Sequence, residues 1–87
     1  MMKEFDLTIS TPDGNMFQDK AIALIVRGTE GELAVLAGHA PFITSLVECD
    51  ARIELVNDKN KTGHCLGGIL TVNKNKVILL SSSFQWK

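Results

Sequence analysis

The stretch Gly31-Glu-Leu-Ala-Val-Leu-Ala-Gly-His-Ala-Pro-Phe42 joins a strand-like apolar run to a Gly-His-Ala-Pro turn. The segment Gly28-Thr-Glu-Gly31 precedes the run and has the composition of a chain reversal, so residues 32–36 are predicted to return as the second strand of a hairpin. Pro41 restricts the residue before it to extended geometry, which opposes a helix at this point. The stretch therefore predicts a β-hairpin followed by a rigid turn.

Short segments of similar character recur on both sides of this stretch. Residues 5–9 alternate apolar and polar side chains, which is the period of a half-buried strand. Residues 21–26 are continuously apolar and predict a central strand covered on both faces. Turn-forming residues separate the segments, for example Pro12-Asp13-Gly14. Further strands are predicted from residue 16 and over residues 42–47, 51–56, 62–65, 69–72 and 77–80.

These segments predict an all-β fold, an antiparallel β-sandwich of about ten short strands, because regular short strands without an amphipathic helix favour sandwiches and barrels. Residues 1–87 form one domain in this interpretation. Gly67-Gly68 lies inside a strand pattern and predicts a bulge or a close backbone approach. Residues 81–87 are either a last extended segment or a frayed end, and Trp86 either packs on the sandwich or marks a contact.

The composition excludes several classes of function. The 87 residues are 45 % apolar and 22 % charged, as in an ordinary globular domain, and the net charge is −1. Because the basic residues are scattered, we expect no nucleic-acid partner. No apolar run approaches the ~18 residues of a membrane span and the N-terminus lacks signal-peptide character, so we expect no direct membrane insertion and a cytosolic location.

Cys49 and Cys65 are expected to be free, mostly structural thiols, since nothing indicates an oxidising compartment. Together with His39 and His64 they raise the possibility of zinc, because imidazole and thiolate are zinc ligands. However, no short paired ligand spacing is present, and neighbouring residues on a strand point to opposite faces. We therefore predict no metal site.

The sequence also offers poor catalytic candidates. The serines at 81, 82 and 83 lack a nucleophile-elbow pattern, and Gly67-Gly68 lacks the ending of a phosphate loop. Glu30 and Glu32 are too few oxygen ligands for a good calcium site. His39 is expected to hydrogen-bond the backbone of its turn or to contact a partner. We predict no catalytic residue and no cofactor, and the remaining function is recognition of other proteins through surface loops and edges.

Four segments in order carry a family resemblance: Ile9-Ser-Thr-Pro-Asp-Gly-Asn-Met-Phe17, Val26-Arg-Gly-Thr-Glu-Gly-Glu32, the opening stretch, and Cys65-Leu-Gly-Gly-Ile-Leu-Thr-Val72. Together they resemble the epsilon subunit of F-type ATP synthases over nearly the whole chain. The resemblance implies the N-terminal ten-stranded sandwich of that family, a non-catalytic part of the central rotor stalk. It implies three partners, namely the gamma subunit, the ring of c subunits and, through them, the catalytic head, at the cytoplasmic face of the bacterial inner membrane.

The resemblance also implies roles for single residues. Thr11, His39 and Thr44 match positions that face the gamma subunit, and Glu32 matches the glutamate near the c ring. In that role the domain clamps gamma to the c ring, so that proton- or sodium-driven rotation reaches the catalytic head without slip. A free-standing β-sandwich adaptor, without affinity for gamma, is the alternative.

The chain departs from the family pattern at its end and at a few turns. Many members have proline and glycine at the positions of Ala37 and Ala34, and Pro-Gly in place of Cys49-Asp50. Many also continue into a C-terminal helical hairpin that inhibits ATP hydrolysis, whereas this sequence stops at Lys87. If the chain is the whole protein we expect neither hairpin-type inhibition nor a nucleotide site, and if it is truncated those properties belong to the missing part.

Overall fold

The computed structural model describes residues 3–87, and this part of the chain contains eight β-strands and no helix. The all-β prediction is confirmed. The strands are β1 (Phe5–Thr11), β2 (Gly14–Ala21), β3 (Ala23–Gly28), β4 (Gly31–Leu36), β5 (Phe42–Glu54), β6 (Asn60–Asn73), β7 (Lys76–Ser81) and β8 (Phe84–Trp86).

The predicted count of about ten strands is wrong because two predicted breaks lie inside continuous strands. Strand β5 runs through residues 48–50, where Glu48 and Asp50 are exposed and Cys49 between them is half-buried. Polar residues that alternate in this way occupy the solvent face of a strand and do not end it. Strand β6 likewise runs through Gly67-Gly68. The predicted reversals at 12–14, 28–31, 57–60 and 73–75 all coincide with turns between consecutive strands, and only their end residues belong to the flanking strands.

The strands follow the ladder order β2-β1-β7-β6-β5-β3-β4, with β8 beside β6. All neighbours are antiparallel except β1 and β7, which are parallel from Asp6 opposite Lys76 to Ser10 opposite Leu80. The purely antiparallel prediction is therefore wrong at this one pair. A short hairpin turn forces antiparallel pairing, but β1 and β7 are far apart in the chain and are free of that constraint.

Strands β5 and β6 are long enough to belong to two layers. Residues 42–46 of β5 pair with residues 68–72 of β6, and this half of β6 continues through β7 and β1 to β2, which completes the first layer. In the second layer, the later part of β5 pairs with β3, and β3 pairs with β4. Residues 63–65 of β6 pair with β8, which completes this layer. The sheet thus folds over onto itself to form the sandwich.

The fold-over occurs at Gly67 and Gly68, which have φ angles of +89° and +148°. A Cβ atom built on Gly68 would overlap the carbonyl oxygen of Leu80 in β7. The predicted close backbone approach is therefore confirmed. The register of β5 against β6 is the same before and after Gly67, so the bulge, which was the main prediction for these glycines, is absent from this ladder.

The layers enclose one apolar core whose largest fully buried members alternate along each strand, as period-two patterning requires. The fully buried large side chains are Phe5, Leu7, Ile9, Leu24, Val26, Val35, Ile53, Cys65, Leu70, Val77 and Leu79. Strand β3 is paired on both sides, but within the predicted range 21–26 Ala21 ends β2 and Ile25 is only half-buried. The prediction that both faces of this segment are covered is therefore wrong.

The chain end closes one open side of the sandwich. Residues 84–86 form β8 and pair with residues 63–65, so the tail is a last extended segment. The Trp86 ring packs edge-on against Phe84 at 5.0 Å and against Phe17 of β2 at 6.0 Å between centroids. The Lys61 ammonium lies 4.6 Å from the Trp86 centroid, within the range of a cation–π contact. Trp86 thus packs on the sandwich and links its two layers.

Candidate interaction surfaces

Two adjacent rows of the outer face of the first layer carry no charged side chain across four strands, although the next row, Asp6 opposite Lys76, is charged. The register places one row of side chains across β1, β7, β6 and β5 at Ser10, Leu80, Ile69 and Ser45, and a second row at Thr8, Ile78, Thr71 and Ile43. We call these eight residues the uncharged face. Ile43 is 73 % exposed, and Ile69 and Leu80 are each 48 % exposed. Large apolar side chains grouped in this way mark interaction sites more often than isolated ones do.

Thr11 lies at one margin of the uncharged face, at the end of β1. Its hydroxyl accepts a hydrogen bond from the amide of Asp13 at 3.1 Å and donates to the carbonyl of Gly14 at 3.4 Å. Thr11 also lines a surface depression of about 340 Å³, with Pro12, Ile69 and Leu80 among its neighbours. The residue therefore shapes the β1–β2 turn and borders an apolar hollow.

His39 lies in the loop between β4 and β5 and is exposed. Its Nδ1 atom is 3.1 Å from the Ala40 carbonyl oxygen, and its ring centroid is 5.0 Å from that of Phe42. The preceding amide of Gly38 donates to the Asn75 side chain at 3.2 Å, which fastens the loop to the β6–β7 turn. The predicted hydrogen bond of a turn histidine to the backbone is present.

Thr44 has a different orientation from the residues of the uncharged face. It lies directly opposite Leu70, a fully buried core residue, so its side chain is on the inner side of β5. Thr44 is half-buried. The structure also separates Thr11 from His39. The loop of His39 is fastened to Asn75, and the backbone carbonyl oxygen of Asn75 accepts a hydrogen bond from the Asp6 amide at 2.9 Å, so His39 lies near the start of β1. Thr11 lies at the other end of that strand. The three predicted gamma-contact residues do not form one patch.

Glu32 is exposed at the start of β4, opposite Arg27 of β3. It lines an open depression of about 560 Å³ on the outer face of the second layer, with Asp50 and Arg52. This face is densely charged, in contrast to the uncharged face. The two outer faces of the sandwich therefore offer different surface chemistry.

A charged cluster on the second layer centres on His64. Its Nδ1 atom is 2.9 Å from Asp50 Oδ1 and its Nε2 atom is 2.7 Å from Glu48 Oε2. A carboxylate only accepts hydrogen bonds, so this geometry fits an imidazolium that donates from both nitrogens. The hydrogen bonds to Asp50 and then Glu48 raise the pKa of His64. The pKa of Asp50 is lowered. The larger cause is the hydrogen bond from the Lys87 ammonium, 2.8 Å from Asp50 Oδ2, and the second is the hydrogen bond from His64.

The zinc candidates do not converge on one point, because Cys49 and Cys65 lie opposite each other on the inner side of the β5–β6 ladder, His64 is on its outer side and His39 is in the β4–β5 loop. His64 points outward with its carboxylate partners, whereas the next residue, Cys65, is buried. Within residues 3–87 no group of three or more His, Cys, Asp or Glu side chains is arranged to hold a metal ion. This part of the chain also contains no helix of the length and apolarity needed to cross a membrane.

The sequence reasoning missed both the uncharged face and the His64 cluster. A signal for the uncharged face was available in segments 69–72 and 77–80. Their apolar residues do not simply alternate with polar ones, so apolar side chains are expected on both faces of these strands, although one buried face needs them on one face only. The cluster left no local signal, since Glu48 and Asp50 are separated from His64 by a hairpin and meet it only through the β5–β6 register.

The family model described as "ATP synthase, Delta/Epsilon chain, beta-sandwich domain" matches residues 4–87. The chain belongs to this family. The sandwich of the structure agrees with the family description, and the membership explains why the four sequence segments occur in order.

Curated relatives of the family match almost the whole chain. It is 38 % identical over 86 residues to the sodium-ion-specific ATP synthase epsilon chain of Acetobacterium woodii, covering 99 % of this chain and 65 % of the relative. It is 38 % identical over 85 residues to the ATP synthase epsilon chain of Caldicellulosiruptor saccharolyticus, covering 98 % and 61 %. The chain thus spans less than two thirds of the length of these relatives.

Solved structures share the fold. A chain in the Euglena gracilis mitochondrial ATP synthase, a structure of OSCP, F1 and the c-ring, superposes with a TM-score of 0.91 at 26 % identity, covering 95 % of this chain and 53 % of that chain. A chain in the central stalk and c-ring structure of the Tetrahymena thermophila mitochondrial enzyme superposes with a TM-score of 0.77 at 14 % identity, which shows a common fold.

Proposed function

We propose that this chain is the sandwich domain of an ATP synthase epsilon subunit, which binds the gamma subunit and the ring of c subunits in the central stalk. The proposal is supported by relatives of that name along 98–99 % of the chain and by a superposable chain in an assembly that contains F1 and a c-ring. In this role the domain belongs to a rotary ion-transporting enzyme at the cytoplasmic face of the bacterial inner membrane, to which it is bound peripherally.

The uncharged face is the structural observation that best supports the proposed contact with gamma. Stable protein interfaces have an apolar centre depleted of charge, and the rows through Ile43, Ile69 and Leu80 have that composition. Thr11 borders the same face through the apolar depression. The family resemblance adds His39 and Thr44 to the gamma side; both lie away from Thr11, His39 in the β4–β5 loop and Thr44 half-buried on the inner side of β5.

The c-ring contact is assigned to Glu32 at the start of β4, next to the β3–β4 turn. This residue is exposed and belongs to the charged second layer, which can offer complementary hydrogen bonds and charges to a polar partner loop. The assignment gives the domain two separate partner surfaces, one for gamma and one for the c ring.

The mechanism in this role is mechanical and no bond is made or broken by the chain. Torque on one partner surface reaches the other through β5 and β6, which run continuously between the layers. Both strands keep one register along their common length, so a load along them is shared by many backbone hydrogen bonds in parallel. We assign no catalytic residue to the chain and infer that it requires no cofactor.

Titration calorimetry with the gamma subunit of the same organism tests the proposal. The wild-type chain is expected to bind with submicromolar affinity, and Ile69→Lys to weaken binding at least about tenfold, because a charge at the centre of an apolar interface loses its hydration without a partner. Val56→Lys is the matched control, since Val56 is an exposed apolar residue in the β5–β6 hairpin turn, away from the uncharged face.

The outcomes separate the proposal from its alternative. Loss of affinity in Ile69→Lys with retention in Val56→Lys supports a gamma contact on the uncharged face. Equal effects of the two variants would remove the uncharged face from the proposal. Absence of binding by a folded wild-type chain would favour the free-standing adaptor and leave only the fold in common with the family.

A further inference from the structure

Two cysteines that have no part in the proposed function face each other across a strand ladder. Cys49 of β5 lies directly opposite Cys65 of β6, and both are free thiols. Directly opposed residues of an antiparallel pair have Cα atoms about 4.5–5.5 Å apart. This range falls within the Cα separation of about 4.4–6.8 Å found in disulfides. The backbone therefore already meets the main geometric condition for a bridge.

Both cysteine side chains are on the inner side of the second layer. Cys65 is fully buried, and Cys49 is half-buried and packs against the same core. Their neighbours confirm the orientation, because Asp50 and His64 form the next opposed pair and both belong to the outer charged cluster. The two sulfur atoms therefore extend from the same face of the ladder.

The Cys65 thiol has weak partners that it can exchange. Its Sγ atom is 3.6 Å from the Gly67 carbonyl oxygen and 3.5 Å from Ser81 Oγ. Thiols are weak donors, and Ser81 itself also donates to the Gly67 carbonyl, so that oxygen stays satisfied if Cys65 turns away. Rotation about χ1 of Cys65 toward Cys49 thus leaves no strong acceptor without a donor.

We propose that Cys49 and Cys65 form a reversible cross-strand disulfide by exchange with a low-molecular-weight disulfide of the glutathione type, with Cys49 reacting first. Cys49 is the entry point because it is the accessible member of the pair. Bridges of this kind in the cytosol are transient and respond to the redox state, unlike structural disulfides of secreted proteins. The pair is a modification site independent of the proposed stalk function.

The exchange proceeds in two balanced steps. The Cys49 thiolate attacks one sulfur of oxidised glutathione, so its disulfide bond breaks, one glutathione thiolate leaves and Cys49 carries a mixed disulfide. The Cys65 thiolate then attacks the Cys49 sulfur, forming the Cys49–Cys65 bond and releasing the second glutathione. Two cysteines are oxidised, one glutathione disulfide is reduced to two thiols, and the two cysteine protons pass to solvent and the leaving groups.

The environment of Cys49 sets the speed of the first step. Burial raises the pKa of the Cys49 thiol, opposed in part by a backbone hydrogen bond from Arg27. Because the thiolate is the attacking form, the reaction is slow near neutral pH and accelerates as the pH rises. The second step joins two residues that already lie opposite each other, so we expect it to be faster than the first and the mixed disulfide not to accumulate.

The test is incubation of the reduced, folded chain with oxidised glutathione at about pH 8, near the usual thiol pKa, followed by intact mass spectrometry. The wild type is expected to lose the mass of two hydrogen atoms and to regain it with dithiothreitol. Cys65→Ser is expected to hold one glutathione on Cys49, since closure is blocked. Cys49→Ser is expected to stay unmodified, because Cys65 is 0 % exposed.

Three results would overturn the proposal. The first is a wild-type chain that remains fully reduced while folded and forms the bridge only in denaturant. The second is a wild-type chain that accumulates the glutathione adduct to the same level as Cys65→Ser. The third is modification of folded Cys49→Ser at the rate of Cys65→Ser, which would contradict Cys49 as the entry point.

Discussion

The ring of Phe84 covers Gly63 so closely that no side chain fits at position 63. A Cβ atom built there would overlap Cε1 and Cζ of the ring. Phe84 is 3 % exposed, and it belongs to β8, which is held to β6 by three residue pairs. A glycine in one strand and an aromatic ring in its neighbour thus fix the last strand onto the sandwich.

Gly63→Ala is therefore expected to destabilise the fold by about 1–3 kcal/mol, the usual cost of overpacking a well-packed site. Urea unfolding followed by the single tryptophan, which lies in β8, measures the loss. In a Phe84→Ala background the same change is expected to be neutral or stabilising, since alanine is better than glycine in a strand once the ring is gone. An equal loss in both backgrounds would contradict the predicted overlap.

The His64 cluster predicts a pH dependence of stability. The pKa of His64 is raised in the fold, so its contribution is fully present below the unfolded value of 6.5 and is lost as the pH rises through the higher folded value. Asp50 has the opposite sign: its lowered pKa gives a contribution that is present above the unfolded value of 3.8 and is lost as the pH falls through the folded value.

Two variants and one spectrum check these signs. His64→Gln is expected to flatten the decrease of stability above pH 6.5 and to reduce the acid-side loss in part, because Lys87, the larger cause of the lowered Asp50 pKa, stays in place. In an NMR titration, Asp50→Asn is expected to lower the pKa of His64 more than Glu48→Gln does, since Asp50 makes the larger contribution. An imidazole titration that neither substitution moves would show that the two carboxylates do not hold the ring in solution.

Lys61 is expected to support the closure of the sandwich through the Trp86 ring. Lys61→Met keeps the aliphatic stem and removes the charge. The free energy of unfolding should therefore fall only by the cation–π contribution, about 0.5–1 kcal/mol at an exposed site. In a Trp86→Leu background most of this loss should disappear, because the nearer aromatic face is gone and Phe17 is 5.8 Å away. Urea unfolding of the four chains, followed by circular dichroism, completes the cycle.

Glu32→Lys is expected to weaken binding to detergent-solubilised c ring, with little effect on binding to gamma, because the surfaces proposed for the c ring and for gamma are separate. Glu30→Lys is the matched control, with the same change of charge two residues earlier, in the β3–β4 turn. Pull-down of the epsilon chain with the c ring in low salt measures the difference. If both variants lose the same fraction of c-ring binding, the net charge of the chain and not the position of Glu32 determines the contact.

Alternation of apolar residues was enough to predict the hairpins of the first half and the buried face of β1. Residues 5, 7 and 9 are buried as the period requires, and every predicted reversal lies between strands. The reversals were readable because glycine, proline and asparagine act locally, through the φ angles that they permit. The continuity of β5 and β6 was not readable, since Glu48 and Asp50 resemble loop residues until their partner strand is known.

The interaction surfaces show the same division. The resemblance supplied Thr11, His39, Thr44 and Glu32 as candidates, but their distribution over different parts of the sandwich follows from the strand register. The side to which a residue points is fixed by pairing over long distances in the chain, and a sequence pattern contains only neighbours along the chain.

The sequence by itself determined the all-β class, the turns and the family, because these depend on local conformational preferences and on the order of short motifs. Only the tertiary structure decided the rest: the parallel pairing of β1 with β7, the uncharged face, the His64 cluster and the opposition of Cys49 to Cys65. Each of these joins residues that are distant in the chain. They meet because strands that are distant in the chain pair side by side, and the fold-over at Gly67 and Gly68 lets the two layers bury one common core.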